Sequence, residues 1–397
     1  MDIAISAPTD IHALAHFSGV SIDGIAPGLG STATTPLIIE LVKRGHHVTV
    51  FTLSSGLDGE LEYNWGNLRV FVGPSRRRHL ARNFYKQEIA YLEGKIRSVR
   101  PQFVHAHWTY EFSLGALRAN RPAVITVHDL PWNVLRYFRD PYRTVRLFMA
   151  YEVAFRGDNF TAVSEDSARH FRRYFKPGAQ VRVIPNGLPN SLFEFVRPNN
   201  KKVRNFTFAT ILQGWTSRKN PTAALEAFAQ VLREMPEAEL IMFGFGYGPG
   251  EEAELWAKKH GFNSRVTFVG AISHDALIRR VVENVDAVIH PSLDEALSVT
   301  AIESLALGLV FIAGRSTPGM REILEDGRCG ILVDVRNPDS IADAMLKVAN
   351  DSELRDRTSS RGKEHARSKY RMSTVVAAYE SVYEQMRDKG TLTMRGE

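Results

Sequence analysis

Short apolar runs rich in β-branched residues alternate with helical patterns from one end of the chain to the other. In the first half the runs that predict strands are 3–6, 47–52, 68–72, 103–107, 123–128, 160–163 and 181–185. In the second half they are 206–211, 239–243, 266–269, 287–291, 309–313 and 330–333. Strands that alternate with helices predict parallel sheets covered on both faces. A polar stretch, Arg197-Pro198-Asn199-Asn200-Lys201-Lys202, separates the two series. The prediction is therefore two doubly wound α/β domains, 1–197 and 198–371. Local signals fit helices between the strands. Thr35-Pro36 reads as an N-cap and first helical position, Leu37, Ile38, Leu41 and Val42 form an apolar stripe, Lys43 and Arg44 fill the last turn, and Gly45 ends it. Residues 373–387 place Val375, Val376, Tyr379, Val382, Tyr383 and Met386 on one helical face. That face has to be buried, so a C-terminal helix within 372–397 is expected to return to the first domain.

At 397 residues, 44% of them hydrophobic and 24% charged, the chain suits two globular cores. No apolar run reaches the roughly 18–20 residues that span a bilayer. The opening MDIAISAP lacks a basic stretch followed by an apolar one, so no signal peptide is expected. Cys329 is the single cysteine, which rules out an intramolecular disulfide and is compatible with a reducing compartment. A cytoplasmic location, peripheral at the inner membrane face in one reading, is the expectation.

Charge changes the picture. Residues 1–197 hold 24 Lys/Arg against 17 Asp/Glu, whereas the remainder holds 26 against 27. The basic excess concentrates in three stretches: Arg76-Arg77-Arg78 with Arg82 and Lys86; Arg136, Arg139, Arg143 and Arg146; and Arg169, Arg172, Arg173 and Lys176. Phe84, Tyr85, Tyr137, Phe138, Tyr142, Phe171, Tyr174 and Phe175 interleave with them. Two readings stay open: a solvated face, or a surface for an anionic membrane or an anionic acceptor. No zinc spacing or RNA-recognition signature accompanies the charge, so no nucleic acid partner is expected.

Ligands of open parallel sheets bind beyond the carboxyl ends of the strands, which directs attention to the residues after each strand. The segment from His290 to Gly308 is the most informative. A strand ends at Pro291, a loop delivers Glu295, Ser298 reads as an N-cap, and a helix carries Glu303 a little over one turn in. Amides at a helix start favour anions. The flanking carboxylates cannot ligate phosphate but accept hydrogen bonds from hydroxyls on either side of it. A nucleotide sugar has that layout: ribose diol, diphosphate, hexose hydroxyls.

This Glu-x7-Glu pattern, Glu295 and Glu303, resembles the family 4 (glycogen-synthase-like) retaining glycosyltransferases of the GT-B type. The resemblance continues through Ser304-Leu-Ala-Leu-Gly308, Thr317-Pro-Gly-Met-Arg-Glu322 and Gly327-Arg-Cys-Gly330. Upstream it includes Ile184-Pro-Asn-Gly187, Phe243-Gly-Phe-Gly-Tyr-Gly-Pro249 and Val266-Thr-Phe-Val-Gly-Ala-Ile-Ser273, and it covers essentially the whole chain. It implies two Rossmann-like domains with a cleft between them, acceptor on the first and nucleotide-sugar donor on the second. Glu295 would contact the donor sugar, the amides of Ala296, Leu297, Ser298 and Val299 would meet sugar and diphosphate, and Glu303 would bind the ribose diol. Gly270 and Ala271 would line the base. Lys219 would stabilise charge on the leaving diphosphate, His107 would face the anomeric region, and Gly28 and Gly30 would approach the diphosphate. The family's arginine position holds Trp215, a departure, and two readings of Arg218 stay open: a substitute guanidinium, or an exposed cap of the helix 220–232. His128 is a second strand-end histidine, whereas His105 is read as packing.

The implied activity is hexose transfer from a UDP- or GDP-sugar to a glycan, lipid-linked or small-molecule hydroxyl, in polysaccharide or glycoconjugate biosynthesis, with retention of configuration. No Asp-x-Asp and no His/Cys cluster of ligand spacing occurs, so no metal and no further cofactor is expected. Other readings are a sugar-nucleotide epimerase or phosphorylase on the same fold, and a donor-binding module without turnover, for which Trp215 is the argument. A nicotinamide dehydrogenase fits poorly, since Gly28-Leu-Gly30 lacks the third fingerprint glycine and a ribose acid about 20 residues on.

Overall fold

The computed structural model describes residues 1–76, 78–195 and 205–394. Arg77 and the polar stretch 197–202 lie outside them. The chain forms two compact units, Met1–Leu188 with Met372–Glu397, and Pro189–Arg371.

The first unit is built on eight strands: β1 (Asp2–Ser6), β2 (His47–Ser55), β3 (Leu61–Trp65), β4 (Leu68–Ser75), β5 (Val104–His107), β6 (Ala123–Val127), β7 (Asn159–Ala162) and β8 (Val181–Val183). They lie in the order β3-β4-β2-β1-β5-β6-β7-β8. All neighbours are parallel except β3 and β4, a hairpin with Trp65 opposite Leu68. The apolar pattern does not predict β3, because Leu-Glu-Tyr-Asn-Trp lies on a largely solvated edge with little alternation to read.

A seven-residue helix, Ile11–Phe17, capped by Asp10, also goes unpredicted. The next helix, Thr34–Lys43, starts one residue before the expected cap. Ser31 Oγ accepts from the Ala33 and Thr34 amides, while Thr35 Oγ1 accepts from the Asp10 amide. Thr35 therefore fastens the previous loop instead of capping its own helix.

The C-terminal helix, Met372–Met394, packs against Thr34–Lys43. Val375, Val376, Tyr379, Val382, Tyr383 and Met386 enter one cluster with Ile3, Ile5, Leu37 and Leu41. Glu380 ties the helix down through Arg44 at 2.6 Å and His46 at 2.7 Å. Tyr383 is fully buried and its hydroxyl hydrogen-bonds His105 Nδ1 at 2.8 Å. Tyr383→Phe leaves that buried nitrogen without its partner, a loss of about 1–3 kcal/mol, to be read as a lower midpoint in equilibrium unfolding.

Strands β9 (Thr207–Ile211), β10 (Glu239–Phe243), β11 (Val266–Gly270), β12 (Ala287–His290), β13 (Val310–Gly314) and β14 (Ile331–Val333) form the second unit's sheet. Their order is β11-β10-β9-β12-β13-β14, parallel throughout. Counted from β9, this is the third-second-first-fourth-fifth-sixth arrangement, so the crossovers reverse direction between β9 and β12. Such a switch point opens a crevice beyond the strand ends. Phe208, Leu240, Met242, Ile289 and Ile312 on the strands meet Ala224, Phe228 and Met345 on the covering helices in one apolar core.

Candidate active site

In the second unit the two loops that leave the switch point, after β9 and after β12, are stitched together. The Leu293 amide donates to the Arg218 carbonyl at 2.8 Å, and Ser292 Oγ donates to the same oxygen at 3.3 Å. Asn220 Nδ2 donates to the carbonyls of Val335 at 2.7 Å and Pro291 at 3.3 Å. Thr317 Oγ1, from the loop after β13, donates to the Ser292 carbonyl at 2.6 Å. Three consecutive strand ends thus hold one turn, the turn that carries Glu295.

Lys219 Nζ, from the loop after β9, and Glu295 Oε1 form an ion pair with both side chains only 11–12% exposed. His290, the last residue of β12, adds Nε2 at 3.2 Å from the same oxygen. Burial alone raises a carboxyl's pKa, but the Lys219 ammonium and the His290 hydrogen bond outweigh it and hold Glu295 well below the usual carboxylate range. Burial conversely pushes His290 down, against the pull of Glu295. The site is therefore an ionised carboxylate between a lysine and a neutral imidazole. His290 has no special place in the sequence pattern; its role comes from ending the strand that delivers Glu295.

Arg218 turns its Nη1 to the Asp294 carbonyl at 3.1 Å, next to Glu295. It thus stands in the same cluster as Lys219. Trp215 does not. Its ring packs edge-on against Tyr247 and beside Trp256, both with centroids 5.9 Å away. At the family's arginine position the chain thus carries a half-buried aromatic ring packed against the second unit's core.

The helix Val299–Ala306 starts with Ser298, whose side chain accepts from the Ala301 amide at 3.2 Å. Ser359 Oγ donates to the Gly308 carbonyl at 2.7 Å and anchors its far end. Ala296, Leu297, Ser298 and Val299 therefore form the approach and first turn of a fixed helix start. Glu303, 14% exposed in its side chain, accepts from His274 Nε2 at 2.7 Å. His274 opens the helix His274–Asn284, which follows β11. The sequence pattern does not single it out, because only the folded sheet brings β11's exit to this helix. The Glu303 hydrogen bond raises the His274 pKa. The pairing is therefore complete below the ordinary imidazole value of about 6.5 and is lost as pH rises through the higher folded value. NMR titration should place the His274 ring above an ordinary imidazole and return it towards that value in Glu303→Gln.

Gly270 closes β11 with φ +78°, and an added Cβ would lie 3.0 Å from the Gly248 Cα, so only glycine suits the position. Its amide donates to the Tyr247 carbonyl at 3.0 Å and its carbonyl accepts from the Gly244 amide at 2.9 Å. Gly270 therefore shapes the loop, and Ala271 beside it is exposed.

The first unit has its own strand-end cluster. His107 ends β5, and its Nδ1 is 2.9 Å from His128 Nε2, just past β6. Trp108 stacks on His128 with centroids 4.1 Å apart. His105 packs, as read from the sequence, between Tyr383 and Thr126 Oγ1, the latter at 2.7 Å. Burial pushes His105 and His128 down to about 3, and burial with its two histidine neighbours lowers His107 strongly. All three are neutral near pH 7. His107 Nε2 is buried without a hydrogen-bond partner among the described residues, an atom that a ligand hydroxyl would satisfy.

Gly28 and Gly30 behave otherwise than expected. The Gly28 amide donates to Ser54 Oγ at 3.3 Å and the Gly30 amide to the Thr9 carbonyl at 3.2 Å. A Cβ at Gly28 would meet the Thr9 carbonyl at 2.2 Å. These glycines let the loop close on β1, and their amides are used within the protein. A hollow of about 740 Å³ bordered by Val124, Asp158, Arg172, Arg182 and Met386 opens at the amino ends of β6–β8, where the Asp158 carboxylate meets Lys176 at 3.4 Å in an exposed pair.

Residues 31–191 match the model of the Glycosyltransferase Family 4 family, and residues 193–365 match that of the Glycosyl transferases group 1 family. A D-inositol 3-phosphate glycosyltransferase of Corynebacterium jeikeium is 25% identical over 382 residues, 88% of this chain and 90% of that protein. The N-acetyl-alpha-D-glucosaminyl L-malate synthase of Bacillus anthracis is 22% identical, covering 90% of this chain and 94% of its own. Among solved structures, sucrose-phosphate synthase of Thermosynechococcus elongatus aligns with a TM-score of 0.76 at 17% identity, over 97% of this chain and 99% of that one. HepE of Anabaena, in complex with UDP-glucose, aligns with a TM-score of 0.68 at 17% identity, over 97% and 100%.

Proposed function

We infer the activity from one premise: the chain belongs to the family 4-type glycosyltransferases, enzymes of the GT-B fold. It is a hexosyltransferase that uses a nucleotide-sugar donor. We propose that UDP- or GDP-hexose binds in the second unit, that the hexose passes to an acceptor hydroxyl with retention, and that no metal takes part. The observation that carries this reading is the Lys219–Glu295 pair beside the Ser298-capped helix. As the glycosidic bond breaks, negative charge gathers on the β-phosphate. A cation brought beside that phosphate in a water-poor site stabilises the charge. Lys219 would turn from Glu295 to that phosphate and Arg218 would assist, while the Ala296–Val299 segment meets the diphosphate and Glu295 accepts from the sugar hydroxyls. Glu303 would hold the ribose diol.

For retention we propose same-face attack, with the leaving phosphate accepting the acceptor's proton, so that positioning and charge stabilisation supply the rate. The relatives' printed names include a phosphate-bearing and a carboxylate-bearing acceptor. With the basic excess of residues 1–197, they favour an anionic acceptor, in a glycoconjugate pathway on the cytoplasmic side. The test is a thermal-shift panel of UDP- and GDP-sugars. A donor at a hundred times its dissociation constant adds about 2.7 kcal/mol to apparent stability. One nucleotide sugar should raise Tm in this way and yield a product of unchanged anomeric configuration with a suitable acceptor. No shift with any of them would contradict the reading.

A further inference from the structure

The basic surface foreseen from charge alone is much reduced in the folded first unit. Arg76 is bound to buried Glu88 at 2.8 Å, Arg143 to Asp140 at 2.8 Å, and Arg146 lies over the Tyr110 ring with Tyr142 Oη at 2.7 Å. Tyr85 and Phe171 are core residues. What remains at the surface is a different set. The helix Pro141–Arg156 buries Leu147, Met149, Ala150, Val153 and Ala154. On its other side it exposes Phe148 (60%), Tyr151 (37%) and Phe155 (88%). Spacings of three and four put these rings on one face.

Neighbouring helices extend the face. Trp132, on the helix Pro131–Phe138, donates its indole N–H to Tyr151 Oη at 3.1 Å, and its ring is 6.3 Å from that of Tyr174. Single exposed apolar side chains are ordinary. Five exposed aromatic ones on three helices, with Trp132 linking Tyr151 and Tyr174, mark a surface that meets something. The surrounding charge says what. Arg136 lies one turn after Trp132, Arg139 follows it, and Arg173 sits over the Tyr174 ring at 5.1 Å. Among the described residues no carboxylate lies against these three. Glu152, the acid on the aromatic helix, is held by Arg118 and Arg156, each at 2.8 Å.

We propose that the first unit docks on an anionic lipid surface through the aromatic face of Trp132, Phe148, Tyr151, Phe155 and Tyr174. Phenylalanines enter the acyl boundary, tryptophan and tyrosine settle at headgroup depth with their polar tips wet, and arginines attract acidic headgroups. A second copy of this chain fits less well, because pairing the face with itself would bring Arg136, Arg139 and Arg173 together without acids between them. The inference uses the first unit alone and is independent of the donor reading.

The test is co-sedimentation of the full chain with vesicles of phosphatidylcholine, either pure or with about 30% phosphatidylglycerol, at low and high salt. The wild type should sediment with the anionic vesicles and only weakly with the neutral ones. Phe148→Ser with Phe155→Ser should lower the bound fraction at least roughly tenfold, since two exposed rings lose their apolar contact. Arg136→Glu with Arg173→Glu should lower it and flatten its salt dependence. Both variants should keep the wild-type Tm, which separates docking from folding. Three results would overturn the proposal: a wild type that stays in the supernatant with anionic vesicles, a phenylalanine pair whose loss changes nothing, or a wild-type dimer by light scattering that becomes monomeric in that double variant.

Discussion

Lys219→Ala is expected to reduce turnover about a hundredfold to a thousandfold, the scale of losing one preorganised group that stabilises developing charge. The same change strands Glu295, whose side chain is 12% exposed, without its cation. Removing one partner of a buried pair costs roughly 3–5 kcal/mol, so a fall in Tm accompanies the loss of rate. The two effects can be separated. Replacing both members, Lys219→Met with Glu295→Met, removes the stranded charge and should recover much of the stability, because an apolar pair of similar volume is often neutral or better. Turnover should stay low. Recovery of both together would mean that the pair serves the fold alone. The pair also sets an acid limit. Glu295 is held below its ordinary value, so its contribution is fully present above about pH 4.3 and disappears as pH falls through the depressed folded value. Lys219→Ala should shift the acid unfolding midpoint upwards.

Glu303→Ala is expected to act on a different kinetic term. An unpaired hydroxyl contact costs about 1–3 kcal/mol, or roughly fivefold to 140-fold in affinity. Ribose is remote from the reacting bond and contributes alike to ground and transition states, so KM should rise while kcat holds. Lys219→Ala should show the opposite split. His274, which donates to Glu303 at 2.7 Å, has to share or yield the carboxylate when ribose arrives. If Glu303→Ala leaves KM for the donor unchanged, the ribose assignment fails even if the enzyme class stands.

Buried parallel strands announce themselves as apolar runs, and the amphipathic face of Val375, Val376, Tyr379 and Tyr383 had to find a core. The solvated edge strand Leu61–Trp65 offered no such signal. Glu295 and Ser298 were legible because they follow a strand end or begin a helix, positions that a parallel sheet turns towards its ligand edge, whereas Lys219 was named through the family resemblance. His290 and His274 were not, since each acts through a partner on another element. Trp215 is a different case. Its place in the chain follows a strand end, yet a large aromatic ring gains more from Tyr247 and Trp256 than from the solvated edge. The amides of Gly28 and Gly30 were visible as candidates, but their hydrogen bonds to Ser54 and Thr9 were not.

A crystal structure of the protein with a bound nucleoside diphosphate sugar tests the central claim most directly. The account predicts the β-phosphate within hydrogen-bond reach of Lys219 Nζ and of the segment Ala296–Val299, the Lys219–Glu295 contact loosened, and the ribose hydroxyls on Glu303. A diphosphate bound elsewhere, with Lys219 still closed on Glu295, would contradict it.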